Sequence, residues 1–201
     1  MKYLLTIVLA VSSITIAQDA PQIPGWGVYV GGALNGATVD PESPGMTYGR
    51  ELNVPFVGVS RGIQIPGFPI PLLVGGGLGK RGFNSEHEEA DYKQSSSTNW
   101  LDVWATIPYP VGPVIAQVGL VYGTGLGTGV NKTEMNGETT EEDLEGEFGD
   151  VTDLGLLLGG AYPINENIGI NFGYALGLKD HGSDGVKMQY NGLYLLLGYN
   201  F

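Results

Sequence analysis

Hydrophobic residues recur at every second position along most of this chain, and the positions between them are small or polar. The pattern is clearest near the end. Leu193, Leu195, Leu197, Tyr199 and Phe201 fall on one face, and Tyr190, Gly192, Tyr194, Leu196, Gly198 and Asn200 on the other. A period of two predicts a β-strand. A soluble strand with one wet face carries charges there; this one carries none. Ile168, Ile170, Phe172, Tyr174, Leu176 and Leu178 repeat the pattern against Gly169, Asn171, Gly173, Ala175, Gly177 and Lys179. Further repeats run through Leu154, Leu156, Leu158 and Tyr162, through Val114, Val118, Leu120 and Tyr122, through Leu101, Val103, Ile107 and Tyr109, and through Leu72, Val74 and Leu78. Two less regular segments lie around Val57, Val59 and Ile63 and from Trp26 to Leu34. These are eight segments of roughly the length a tilted strand needs to cross a bilayer. An apolar face backed by small, aromatic or polar residues is what a lipid-facing barrel strand requires. The expected fold is all-β, an eight-stranded antiparallel up-and-down transmembrane β-barrel.

The connections give a second signal. Long polar connections at 35–50, 80–98, 128–150 and 179–186 alternate with short ones at 66–69, 110–113 and 163–167. Outer-membrane barrels alternate long outer loops with short periplasmic turns in this way. An even strand number then leaves both termini in the periplasm and the long loops outside the cell. Aromatics near the expected strand ends predict interfacial girdles: Trp26, Tyr109, Tyr162, Tyr199 and Phe201 at one end, Trp100, Tyr122 and Tyr190 at the other.

The N-terminus reads differently. Lys2 precedes an apolar run from Tyr3 to Ile16, and Thr15 and Ala17 are small residues at the positions a signal peptidase requires. Residues 1–17 are expected to be a signal peptide and 18–201 the barrel domain. No other stretch approaches ~20 continuous apolar residues, so insertion into a membrane has to be by a closed barrel.

Composition agrees with strands. There are 34 glycines in 201 residues, about twice the usual share, which suits curved strands and tight turns better than helices. The chain has no cysteine, so it has neither a disulfide framework nor thiolate chemistry. A net charge of −12 repels phosphate and argues against nucleic acid as a partner.

Three segments carry a family resemblance. Leu78-Gly79-Lys80-Arg81-Gly82-Phe83, Trp100-Leu101-Asp102-Val103-Trp104-Ala105-Thr106-Ile107 and Asp153-Leu154-Gly155-Leu156-Leu157-Leu158-Gly159-Gly160-Ala161-Tyr162 resemble, in order and spacing, strands of the PorT-like outer-membrane β-barrel domains of Bacteroidetes-type bacteria. These are similar to the small OmpX- and OmpA-like eight-stranded barrels. Trp104 stands where that family usually has proline, and an acidic insert precedes the sixth strand. The resemblance implies an integral outer-membrane protein with a structural, adhesive or accessory envelope role. One branch of the family serves a secretion system, and nothing in this chain marks that branch. The terminal strand ending in Tyr199 and Phe201 resembles the signal read by the barrel assembly machinery during biogenesis.

Candidate chemistry is sparse. Glu141, Glu142, Asp143, Glu145, Glu147 and Asp150 form an acidic connection, and hard divalent cations favour clustered carboxylates. The loop could contact calcium or bridge to lipopolysaccharide through divalent ions, but its spacing does not match an EF-hand loop and no strict ligand pattern emerges, so a solvated, disordered surface loop is expected, with no metal and no cofactor. His87 and His181 with Ser85, Ser95, Ser96, Ser97 and Ser183 raise a lipid A-modifying enzyme as an alternative, but none of the serines sits in a nucleophile elbow, and no catalytic residue is assigned. Gly77-Leu78-Gly79-Lys80-Arg81-Gly82 matches a dinucleotide fingerprint only formally, because no helix follows it. Inside the barrel, Asp102, Gln117, Asp153 and Asn171 are expected to form a polar network, with Arg61 and Lys179 as the cations that pair the carboxylates. Eight strands leave a bore that side chains fill, so a general pore is not expected. The other alternative is an exported, soluble, lipocalin-like binding barrel. The expected partners are outer-membrane lipids and lipopolysaccharide, and the expected state is monomeric.

Overall fold

The computed structural model describes residues 25–67, 70–87, 90–144, 151–183 and 185–201; the expected signal peptide lies outside them. Nine strands follow one another: β1 Trp26–Asp40, β2 Met46–Ile63, β3 Leu72–His87, β4 Tyr92–Val111, β5 Val114–Met135, β6 Glu138–Leu144, β7 Thr152–Pro163, β8 Ile168–Gly177 and β9 Lys187–Asn200. Every neighbouring pair is antiparallel. β5 passes over β6 to pair with β7, from Ile115↔Ala161 to Thr124↔Thr152. β1 closes the ring against β9, from Gly27↔Asn200 to Asp40↔Lys187. Eight strands therefore form a closed barrel, and among the described residues β6 pairs with β5 alone.

Alternation decides which residues face out. Each strand of the ring contributes exposed apolar side chains: Val30, Val59, Leu78, Val103, Leu120, Leu158, Phe172 and, most of all, Leu195 at 63% exposure. This is the reverse of a lipocalin, whose apolar side chains point inward. Among the described residues no helix is long and apolar enough to cross a membrane; the apolar belt is made by strands. At the end of the barrel where the termini meet, Trp26, Tyr162, Tyr199 and Phe201 are exposed on the outside, as an interfacial girdle requires. At the other end, the hairpin end, Tyr122 is outward, but Trp100 and Tyr190 are buried at 1% and 7%. Their positions in the alternation turn them into the bore, which removes both from the expected girdle.

Apart from the one after β8, the connections at the hairpin end are much shorter than the polar pattern suggests. β1 runs on to Asp40 and β2 begins at Met46. The ladder between β3 and β4 continues without a break to His87↔Tyr92. The described part of the acidic connection, through Leu144, is a strand: Gly129–Met135 and Glu138–Leu144 form a regular hairpin. Asn136 and Gly137, with φ of 53° and 81°, make the two-residue turn with both residues left-handed that suits the twist of paired strands. β5 has 22 residues against 10 in β8, so one side of the barrel stands far above the other.

Glycine explains how eight strands hold large side chains. A Cβ on Gly58 or Gly75 would meet the Trp104 ring, and one on Gly77 or Gly79 would meet Phe56. Tyr194 lies on Gly159 and Gly173 in the same way. Each interior aromatic is thus seated on a patch of bare backbone. Trp104 packs against Tyr29 edge-on at 6.4 Å and against Phe56 at 6.1 Å. Phe56 enters the bore because β2 carries an extra residue at Val54-Pro55, opposite the irregularity between Gly31 and Ala33. Gly75→Ala is expected to lower stability by about 1–3 kcal/mol through overpacking, read by urea unfolding of the protein folded into vesicles. An unchanged midpoint would mean that Trp104 is not seated there.

Candidate functional site

The most structured polar site sits inside the barrel toward the hairpin end. Along β4 the inward positions run Thr106, Trp104, Asp102, Trp100, and along β3 they run Gly77, Gly79, Arg81, Phe83, by the register Leu73↔Thr106 to His87↔Tyr92. Arg81 and Asp102 therefore come within reach of each other on the bore side of two adjacent strands. Gly123↔Asp153 brings the second carboxylate in from β7. The guanidinium bridges both: Nη1 donates to Asp153 Oδ2 at 2.9 Å, and Nη2 donates to Asp102 Oδ1. The side chains of Arg81, Asp102 and Asp153 are 14%, 13% and 4% exposed. Its Cζ lies 4.4 Å from the Trp100 ring centroid, a cation–π contact on the side facing away from the carboxylates.

His181, in the connection after β8, completes the cluster. Its Nε2 lies 3.2 Å from Asp153 Oδ1, and its ring packs 4.9 Å from that of Tyr190. Tyr190 in turn contacts Trp100 edge-on at 5.9 Å. The cluster holds two carboxylates against one guanidinium, with the His181 ring beside Asp153. It is a hydrogen-bonded polar cluster beneath an aromatic cap.

Of the six residues expected in the interior network, Asp102, Gln117, Asp153 and Asn171 line the bore. Arg61 and Lys179 do not. Arg61 has the same parity as Val57 and Val59, which face outward, and its guanidinium stacks 5.2 Å from Trp26 at the terminal end. Lys179 lies beyond the end of β8, is exposed, and donates to Thr152 Oγ1 at 2.8 Å. The cation that pairs the carboxylates is Arg81. The outward position of Leu78 already implied this, since two steps of alternation carry Gly79 and then Arg81 inward.

The other candidates do not assemble. Glu141, Glu142 and Asp143 are exposed on β6, while Glu145, Glu147 and Asp150 lie outside the described residues. Among the described residues no group of metal-ligating side chains converges. His87 stands at the tip of β3, about 20 Å beyond Arg81 at the rise of a strand, and its Nδ1 accepts the Ala90 N–H at 3.2 Å. It is far from His181, which is committed to Asp153.

The connection that carries His181 is ordered by Asp180. This carboxylate accepts the backbone N–H groups of Gly182 and Met188, each at 2.9 Å. Those bonds, with the nearby charges of Lys187 and His181 adding to them, hold its pKa below the ordinary 3.8. A lowered carboxylate pKa stabilises the folded connection above the ordinary value, and the stabilisation disappears as pH falls through the lowered one. Amide exchange at Gly182 and Met188 is therefore expected to accelerate below about pH 4, beyond the intrinsic change, and in Asp180→Asn at neutral pH. Equal protection in both proteins would remove this role.

The chain matches the family described as the outer membrane protein beta-barrel domain over residues 6–201. No curated protein matches it in sequence. Among solved structures it is similar to Neisserial surface protein A, with 17% identity and a TM-score of 0.47 over 89% of this chain and 99% of that one. It is similar to Ail, the attachment invasion locus protein of Yersinia pestis, with 15% identity and a TM-score of 0.47 over 89% and 99%. OprG from Pseudomonas aeruginosa aligns with 17% identity and a TM-score of 0.42 over 92% and 99%. With the family matched across nearly its whole length and an apolar belt around a closed ring of strands, this chain belongs to the outer-membrane β-barrel domain family and resides in the outer membrane.

Proposed function

We propose that this protein is a small envelope barrel with a structural, adhesive or accessory role, acting through the tall sheet at its hairpin end and not as a general pore or an enzyme. The observation that carries this reading is the division of the molecule. The bore is occupied by Trp104, Phe56 and the Arg81–Asp102–Asp153 cluster, while β3 to β6 project beyond the belt with polar side chains on both faces. The working surface in this reading is the sheet, with lipopolysaccharide and outer-membrane lipids around the belt. The signal peptide at 1–17 delivers the chain to the periplasm, and the strand ending in Tyr199 and Phe201 engages the assembly machinery. The termini face the periplasm, β6 faces the outside, and the protein works as a monomer of the PorT-like branch of its family.

Two measurements test this. In planar bilayers the purified protein is expected to show no long-lived openings of porin size; their appearance would end the structural reading. Because the chain has no cysteine, single replacements report topology cleanly. Glu141→Cys is expected to react with a membrane-impermeant maleimide on intact cells, and Asn165→Cys, in the turn between β7 and β8, only after the outer membrane is opened. The opposite pattern would invert the orientation.

A further inference from the structure

The ring is filled but not completely. Inside it lies a cavity of about 140 Å3, reaching from Thr106 to Arg81. Most of the wall is carbon, contributed by Phe56, Leu73, Trp104, Val121, Leu157 and Leu196. At the hairpin end the wall is ionic, and Arg81 and its two carboxylates are engaged with one another. Among the described residues of this wall, one fully buried side-chain polar atom has no partner. Thr106 is 3% exposed, its place in the β4 alternation turns it into the bore, and its Oγ1 has no hydrogen-bond partner among the described residues. Buried hydroxyls ordinarily have one.

Size and chemistry together define an occupant. Carbon-lined cavities of about 150 Å3 stay dry and take up a single benzene-sized ring. We propose that this cavity is a binding site for a small neutral monocyclic molecule, apolar over most of its surface and carrying one hydroxyl that exchanges a hydrogen bond with Thr106. The aromatic wall of Trp104 and Phe56 receives the ring, and the unpartnered threonine selects the hydroxyl. The glycines beneath those aromatics are what keep the space open, since a Cβ at Gly79 would press on Phe56.

The test uses the protein purified from outer membranes in detergent, with 4-fluorophenol and fluorobenzene as probes read by fluorine NMR against empty micelles. Saturable binding of 4-fluorophenol is expected. Thr106→Val keeps the shape and removes the hydroxyl; it is expected to weaken 4-fluorophenol by about five- to ten-fold and to leave fluorobenzene within about two-fold. Thr106→Ser is expected to restore the preference. Ala175→Phe, which fills the cavity from β8, is expected to abolish binding of both probes, with strand content by circular dichroism confirming that it folds. If Ala175→Phe does not fold, the valine and serine pair decides alone. Uptake that never saturates beyond that of empty micelles, or equal affinity of wild type and Thr106→Val for 4-fluorophenol, would overturn the proposal and leave a cavity that holds only water.

Discussion

Replacing Arg81 by leucine is expected to cost the barrel about 3–5 kcal/mol, the largest loss of any single change outside the lipid belt. The guanidinium is the one group that satisfies Asp102 and Asp153 together. Without it two carboxylates stand near each other on strands flanking β5, with only His181 beside one of them. Removing one partner of a buried pair leaves an unpaired charge, which costs far more than removing all the partners at once. The same leucine in an Asp102→Asn, Asp153→Asn background is therefore expected to cost much less than it does alone. Urea unfolding in lipid vesicles measures both. A single Arg81→Leu variant within about 0.5 kcal/mol of wild type would show that the cluster does not hold the strands together.

Leu195→Arg is expected to destabilise the inserted protein by about 2–4 kcal/mol, because it places a cation on the lipid face midway between Leu193 and Leu197. Leu195 is 63% exposed, and in a water-soluble barrel an arginine at so exposed a position would be neutral or would improve solubility. The sign of the effect thus depends on the solvent around the belt. The comparison is made between unfolding from vesicles and expression level in the outer membrane. No loss in either would contradict the membrane-facing assignment of β9.

What the sequence makes legible follows from which solvent each face meets. Where one face meets lipid and the other the bore, as in β8 and β9, alternation is strong and the strands stand out. Where the same strands leave the membrane, both faces meet water and the apolar half of the signal vanishes. Ser95, Ser96 and Ser97 on β4 and Thr139 and Thr140 on β6 therefore read as loop, although the β4 serines are laddered on both sides and the β6 threonines on one. The surviving signal there was Asn136-Gly137, a turn dipeptide between alternating residues. The same logic separates Arg61 from Arg81. Both lie close to apolar strand segments, but parity sends the first outward to Trp26 and the second inward to Asp102. His181 was not legible, because it reaches the cluster from a connection whose path is fixed by Asp180 and not by a strand period.

The pairing of β6 on one side only has a consequence for neighbouring copies. Among the described residues its other side is unpaired, a row of backbone N–H and C=O groups of the kind on which identical chains add strand to strand. In this protein that edge carries Glu138, Glu141, Glu142 and Asp143 within seven residues. Two such edges brought into register would stack their carboxylates at the spacing of paired strands, about 5 Å, where like charges repel. The acidic stretch then needs no ion and no ligand to account for it. Such a row of carboxylates is an electrostatic guard on a strand edge that would otherwise be open to joining barrel to barrel.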